Sequence, residues 1–362
     1  MKVLIAGGGT AGHVFPAVAL AQELSDRGVA CTFVGASGGL ESTLVPEAGF
    51  PLIGLDVIGF PRRPSRDLIR APLALWRAYR RCRDLVTGHA AVVGVGGYAS
   101  APAVLAAQRA RIPVVLHEQN AVPGLANRLL SRRASAVALS FPEAGPRFPR
   151  RVPLVLTGNP VRRQVADMDA AALRAEAMAR FGFDPHRRTL VVFGGSQGAL
   201  HLDQAILDAL GRWRERSDLQ VLLLTGAAHE TRIAAEVPEG ALRVCVRGFL
   251  DRMELAYAVA DLVVSRAGAT SIAETTACGI PALLIPYPHA TGDHQRANAA
   301  SVVASGAAEM MLDAELDAGT LAVRVDALLA DPERLARMGA AARGRGSRGA
   351  AAALADLVVA SA

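Results

Sequence analysis

The stretch Val3-Leu-Ile-Ala-Gly7-Gly-Gly-Thr-Ala-Gly12 decides the fold. Four apolar residues in a row read as a short strand covered on both faces, as parallel strands are. The glycines then open a helical pattern from about Pro16 to Arg27, and Gly28 follows as its C-cap. Strand, glycine-rich turn and helix in succession form the first unit of a doubly wound α/β sheet. The same order returns at Thr189-Leu-Val-Val-Phe193, Gly194-Gly-Ser-Gln-Gly198 and a helix from about Ala199 to Arg214. The chain therefore carries two copies of one architecture.

Between the copies, strand-like runs near 30–35, 91–95, 113–117 and 135–139 alternate with helical stretches near 67–86, 101–110 and 122–132. After the second copy, strands are expected near 219–224, 243–246, 261–265, 281–285 and 308–311. Such alternation builds parallel sheets through right-handed crossovers. At 362 residues the chain is too long for one ordinary core and suits two. The expected fold is two Rossmann-like doubly wound parallel-sheet domains facing across a cleft. The first should span 1–160 and the second 161–340, with a terminal helix in 341–362 returning to the first. Pro142, Pro146, Pro149, Pro153 and Pro160 cluster where the rhythm lapses, which marks a hinge.

Net charge is +6, and Lys2 is the only lysine, so nearly all positive charge is arginine. Arginine suits phosphates and carboxylates, but charge alone does not choose among nucleic acid, anionic membrane and phosphorylated small molecules. Cys31, Cys82, Cys245 and Cys278 are far apart and form no C-x-x-C pair, which argues against a zinc site, a redox motif or an oxidising compartment. No apolar run reaches the roughly 18 residues that span a bilayer, so membrane contact would be peripheral. Pro61 to Arg83 holds eight arginines against one acid, interleaved with Leu68, Ile69, Leu73, Leu75, Trp76 and Tyr79. That pattern reads as an interfacial helix on an anionic membrane surface.

Gly7, Gly9 and Gly12 fit G-x-G-x-x-G, yet the acid that should hold a dinucleotide's ribose at the end of the second strand is missing. That strand ends Phe33-Val-Gly-Ala-Ser37, and Glu41 comes several residues later. The turn remains suited to a phosphate or a hydroxyl-rich group. His13 stands at its mouth, where a neutral imidazole can take a proton from a hydroxyl. In the second copy, Ser196 and Gln197 adorn a turn fit for a diphosphate. Ser265 to Glu274 runs from strand end into helix, so Thr270 and Glu274 share a face: donors for phosphate above, a carboxylate for ribose hydroxyls below. Gln295 and Asn298 open a later helix toward the same strand ends. No metal-ligand spacing occurs, and no cofactor is expected.

Taken together, Gly8-Gly-Thr-Ala-Gly-His-Val-Phe-Pro16, Gly96-Gly-Tyr-Ala-Ser100, His117-Glu-Gln-Asn120, Gly158-Asn-Pro-Val-Arg162, Gly194 to Gly198, Arg266 to Glu274 and Asp293-His-Gln295 resemble the GT-B glycosyltransferases of cell-wall synthesis across nearly the whole chain. The resemblance implies an inverting transferase moving N-acetylglucosamine from UDP-N-acetylglucosamine to lipid I, giving lipid II. It implies Thr10, Ala11, Gly12 and Asn120 where sugar meets acceptor, and Arg162 and Ser196 on the donor. Leu250 would flank the uracil, Ala269, Thr270, Ser271, Ile272, Ala273 and Glu274 would hold phosphates and ribose, and Gln295 the sugar, with His13 as base. It also implies peripheral residence at the cytoplasmic face of the inner membrane, other cell-wall synthesis proteins as partners, and no nucleic acid. A sugar-nucleotide epimerase, a nicotinamide oxidoreductase and an RNA-binding module are the competing readings.

Overall fold

Val3 to Ala6 lose all contact with solvent, because alternate residues of this strand enter different cores: Leu4 and Ala6 one, Val3 and Ile5 the other. The computed structural model describes residues 1–57, 66–195 and 199–362, with backbone alone from 66 to 71. The chain divides into one unit of residues 1–162 and 348–362 and another of residues 163–347.

The first unit runs β1 (Lys2–Ala6), α1 (Ala11–Asp26), β2 (Ala30–Ala36), α2 (Glu41–Glu47), β3 (Leu52–Leu55), α3 (Arg66–Leu85), β4 (Ala91–Gly94), α4 (Ala101–Ala110), β5 (Val114–Glu118), α5 (Leu125–Leu130), β6 (Ala136–Leu139) and β7 (Leu154–Leu156). Its described strands form one parallel sheet in the order β3-β2-β1-β4-β5-β6-β7. Ala78, Cys82 and Val86 from the α3 region, Ala103, Val104, Ala106 and Ala107 from α4 and Leu130 from α5 cover one face. Val14 to Leu24 of α1 cover the other.

The second unit runs α6 (Arg163–Ala166), α7 (Ala170–Phe181), β8 (Arg188–Phe193), α8 (Leu200–Trp213), β9 (Leu219–Leu224), α9 (Glu230–Glu236), β10 (Arg243–Arg247), α10 (Met253–Val259), β11 (Leu262–Ser265), α11 (Ala269–Ala277), β12 (Ala282–Leu284), α12 (His294–Ala304), β13 (Ala308–Met310), α13 (Ala318–Leu329) and α14 (Pro332–Arg345). Its sheet is also parallel, in the order β10-β9-β8-β11-β12-β13. The last helix, α15 (Ala350–Ser361), belongs to the first unit, where Leu354, Ala355 and Val358 join the core beside α1.

Three features depart from the sequence expectation. α2 and β3 were not anticipated, because Leu52-Ile-Gly-Leu55 is too short and too interrupted to declare itself a strand. The proline-rich stretch is not a bare hinge: it holds a 3-10 turn over Pro142–Arg147 and the exposed edge strand β7, and edge strands tolerate nearby prolines. The second unit runs to Ser347, past the expected 340, because α14 packs on α11 and the turn after it: Gly339 lies against the carbonyl of Gly279.

Candidate active site

In each sheet the order reverses between two neighbouring strands, β1 and β4 in the first unit and β8 and β11 in the second. Doubly wound sheets bind ligands at the carboxyl ends of such strands. Ala6 is level with Val34 of β2 and Gly94 of β4, so the turns after all three leave the sheet together. A Cβ on Gly97 would lie 2.7 Å from the Gly8 carbonyl, and one on Gly7 would lie 2.9 Å from that of Gly96. The two glycine turns thus touch backbone to backbone, which only glycine permits.

His13 lies on the first turn of α1, with its ring against Gly96. Its Nδ1 is 2.8 Å from Thr10 Oγ1. Thr10 stands at the N-cap position but makes no capping bond there; its hydroxyl serves His13 instead. When Nδ1 carries the proton and donates to Thr10, Nε2 holds the lone pair of a base. Ala11 and Gly12 form the start of α1 beside this pair.

The turn does not offer an open anion site. The Glu41 carboxylate, 1% exposed, fills it: Oε2 accepts the Gly9 N–H at 2.8 Å and Oε1 accepts the Ala36 N–H at 2.8 Å. The residue that comes too late in sequence folds back to the end of β2 and spends its charge on the backbone. The Gly9 and Ala36 amides are therefore not available to a ligand.

Asn120 hangs from Glu118, whose Oε1 accepts both the Asn120 backbone N–H at 3.0 Å and its side-chain amide at 3.4 Å. Glu118 Oε2 accepts from Gly124 and Asn127. Burial pushes this carboxyl up from the usual range, against the pull of its donors. His117 beside it is wholly buried, and burial pushes it down to about 4, so it is neutral. Arg162 lies over the Phe15 ring at 4.8 Å.

In the second unit, Phe193 of β8 is level with Ser265 of β11. Ser196 lies outside the described residues. Gly268 leads into α11, whose first turn has no side-chain cap and no acid, so its N–H groups point toward the strand ends. Thr270, Ser271 and Ala273 are half-buried on α11, while Ala269 and Ile272 pack inward. Glu274 is buried as well, and its Oε2 accepts the Tyr257 hydroxyl at 2.9 Å. Tyr257 reaches it from α10, a partner that no spacing in the sequence signals. Leu250 is buried in the turn between β10 and α10.

Gln295 does not simply point outward. Its Oε1 accepts the N–H groups of Ala267 at 3.1 Å and Tyr287 at 2.9 Å, joining the turns after β11 and β12. Asn298 donates to the Ala267 carbonyl at 3.2 Å. Arg266, also missed as a structural residue, is buried, donates to the carbonyl of Ile285 and pairs with Asp313. No group of three or more His, Cys, Asp or Glu fit to hold a metal ion occurs among the described residues.

The sequence as a whole is similar to known proteins. Residues 3–139 match the glycosyltransferase family 28 N-terminal domain, and residues 189–356 its C-terminal domain. The UDP-N-acetylglucosamine--N-acetylmuramyl-(pentapeptide) pyrophosphoryl-undecaprenol N-acetylglucosamine transferase of Clavibacter sepedonicus is 45% identical over 98% of this chain and 95% of its own. The chain belongs to glycosyltransferase family 28. A family 28 relative of the same name from Halothermothrix orenii is 40% identical, over 99% of this chain and 98% of its own. The crystal structure of Acinetobacter baumannii MurG superposes with a TM-score of 0.79 at 28% identity, covering 99% of each chain. The two parallel-sheet units of this family 28 chain are thus a GT-B fold.

Proposed function

We propose that this chain is the transferase that moves N-acetylglucosamine from UDP-N-acetylglucosamine to the 4-hydroxyl of undecaprenyl-diphosphoryl-N-acetylmuramyl-pentapeptide. The observation that carries this reading is identity of 40–45% to enzymes of that name over 98–99% of the chain. The nicotinamide alternative gains no support from Glu41, whose carboxylate at the end of β2 is consumed by Gly9 and Ala36.

The reaction is a single in-line displacement. His13 Nε2 takes the proton of the acceptor hydroxyl while that oxygen forms a bond to the anomeric carbon. The bond from that carbon to the β-phosphate oxygen breaks, its electron pair leaves with UDP, and the anomeric configuration inverts. The N–H groups at the start of α11, with Thr270 and Ser271, stabilise the charge gathering on the departing diphosphate. Glu274, oriented by Tyr257, receives the ribose hydroxyls. Gln295, fixed through its Oε1, turns its amide N–H groups to the sugar. Ser196, Leu250 and Arg162 complete the donor contacts, and Asn120, fixed by Glu118, meets the acceptor with Thr10 to Gly12.

The acceptor is a membrane lipid, and no helix among the described residues is long and apolar enough to cross a membrane. Peripheral binding at the cytoplasmic face of the inner membrane fits the layer formed by α3, α4 and α5. Leu73 and Trp76 on α3 are 50% and 51% exposed beside exposed Arg77, Arg80, Arg81 and Arg83, with Arg80 stacked 5.0 Å over Trp76. On α5, Leu125 is 68% exposed and lines a shallow recess with Arg128, Leu129 and Arg132. Apolar side chains interleaved with arginines suit an anionic lipid surface. The part of this segment from 58 to 65 lies outside the described residues.

Release of UDP from UDP-N-acetylglucosamine, measured with and without a short-chain lipid I analogue, tests the reading. UDP should appear only with the acceptor; conversion of the sugar nucleotide without acceptor would instead indicate an epimerase.

A further inference from the structure

Among the described residues of the first unit, Glu41 is a buried carboxylate that the reaction above leaves without a task beyond filling the glycine turn. Its surroundings are shaped around it. A Cβ on Gly8 would lie 2.1 Å from Oε1, one on Gly39 2.3 Å from Oε2, and one on Gly35 2.7 Å from its Cγ. Gly8 in the first turn and Gly35 and Gly39 at the end of β2 thus leave room for this side chain. Two backbone N–H groups, of Gly9 and Ala36, converge on its two oxygens at 2.8 Å each. Gly9 has φ +88°, a left-handed conformation open to glycine, and its N–H is held by Glu41. The next residue is Thr10, whose hydroxyl orients His13. The line of contact runs from carboxylate to Gly9 amide, to Thr10, to the imidazole.

We infer that Glu41 is a positioning residue: an internal anion that locks the first glycine turn so that Thr10 holds His13 in the orientation of a base. A buried carboxylate takes here the place that phosphate takes in nucleotide-binding turns of this shape. Charge-assisted bonds to backbone N–H groups are strong enough for this duty. The inference rests on the assignment of His13 as base.

The test compares acceptor-dependent UDP release by the full chain, Glu41→Gln, Glu41→Ala and His13→Ala. Glu41→Gln keeps the shape but replaces one acceptor oxygen with an N–H donor facing an N–H. We expect kcat to fall between about ten- and a hundredfold in both Glu41 variants, with the KM for UDP-N-acetylglucosamine changed less than about twofold. Glu41→Ala empties a space with two inward N–H donors, so formate at tens of millimolar should restore part of its kcat and none of that of His13→Ala. If Glu41→Ala does not fold, Glu41→Gln carries the test. Wild-type kcat in folded Glu41→Gln, a loss confined to the donor KM, or a folded, slow Glu41→Ala indifferent to formate each overturns the inference. If His13→Ala keeps wild-type turnover, the base assignment fails and takes the role of Glu41 with it. If His13→Ala is slow and the Glu41 variants are not, only the role of Glu41 fails.

Discussion

Asp203 gives the sharpest prediction about stability. It lies in the first turn of α8, with no exposed surface. Its Oδ2 accepts the Ala199 N–H at a long 3.4 Å, and its Oδ1 has no hydrogen-bond partner among the described residues. Burial pushes its pKa from 3.8 up to about 6, although the Ala199 amide and the charges of His229, Arg266 and Arg232 pull the other way. The native state therefore holds this proton more tightly than the unfolded chain does. The group's contribution is most favourable below pH 3.8, declines as pH rises toward 6, and stays unfavourable above it. The displacement corresponds to at most about 3 kcal/mol at neutral pH, and the buried neutral amide left in its place by Asp203→Asn takes back about 1–2 kcal/mol of that. Asp203→Asn removes the charge and leaves a neutral orphan that is cheaper to bury. The expected net gain at pH 7.5 is about 1 kcal/mol, or about 2–4 °C in melting midpoint for a unit of this size. Calorimetric melting of both proteins from pH 5 to 8 measures it, and the gain should shrink toward pH 5. A variant that melts lower at pH 7.5, or a difference that does not change with pH, refutes the reasoning.

His13→Ala should lower kcat by about 10²–10⁴-fold while leaving titrated UDP affinity and the melting midpoint near wild type. Glu274→Ala should weaken UDP-N-acetylglucosamine binding by about 10- to 100-fold in a calorimetric titration, from the loss of charge-assisted bonds of about 1.5–3 kcal/mol. Tyr257→Phe should give a smaller loss in the same titration. Replacing both Leu73 and Trp76 with Ala should cut co-flotation with anionic vesicles severalfold without changing turnover on a water-soluble acceptor. Unchanged flotation would remove α3 from the membrane surface.

Much of this was legible in the sequence because parallel strands buried on both faces are runs of Val, Leu and Ile that need no context. Val3 to Ala6 and Thr189 to Phe193 announce themselves, and the glycines after them can only be turns. Less was legible where burial is partial. β7 has all three residues exposed and reads as linker, and β3 is broken by Gly54. At the site, Thr10, His13 and Glu274 were visible because their motifs are local. Glu41 and Tyr257 were not, since each acts on residues 32 and 17 positions away through a fold that spacing does not encode. Gln295 was recognised, yet its grip on Ala267 and Tyr287 emerged only when two strand ends came together.

The placement of α15 has a consequence for biosynthesis. Leu354, Ala355 and Val358 complete the core beside α1, and Arg27 pairs with Asp356. While the chain is being made, the first unit stays an open shell until residues 350–361 have left the ribosome, whereas residues 163–347 already hold everything their own core requires. The half made first is the half finished last. Until then the apolar side of α1 lacks the part of its cover that α15 supplies.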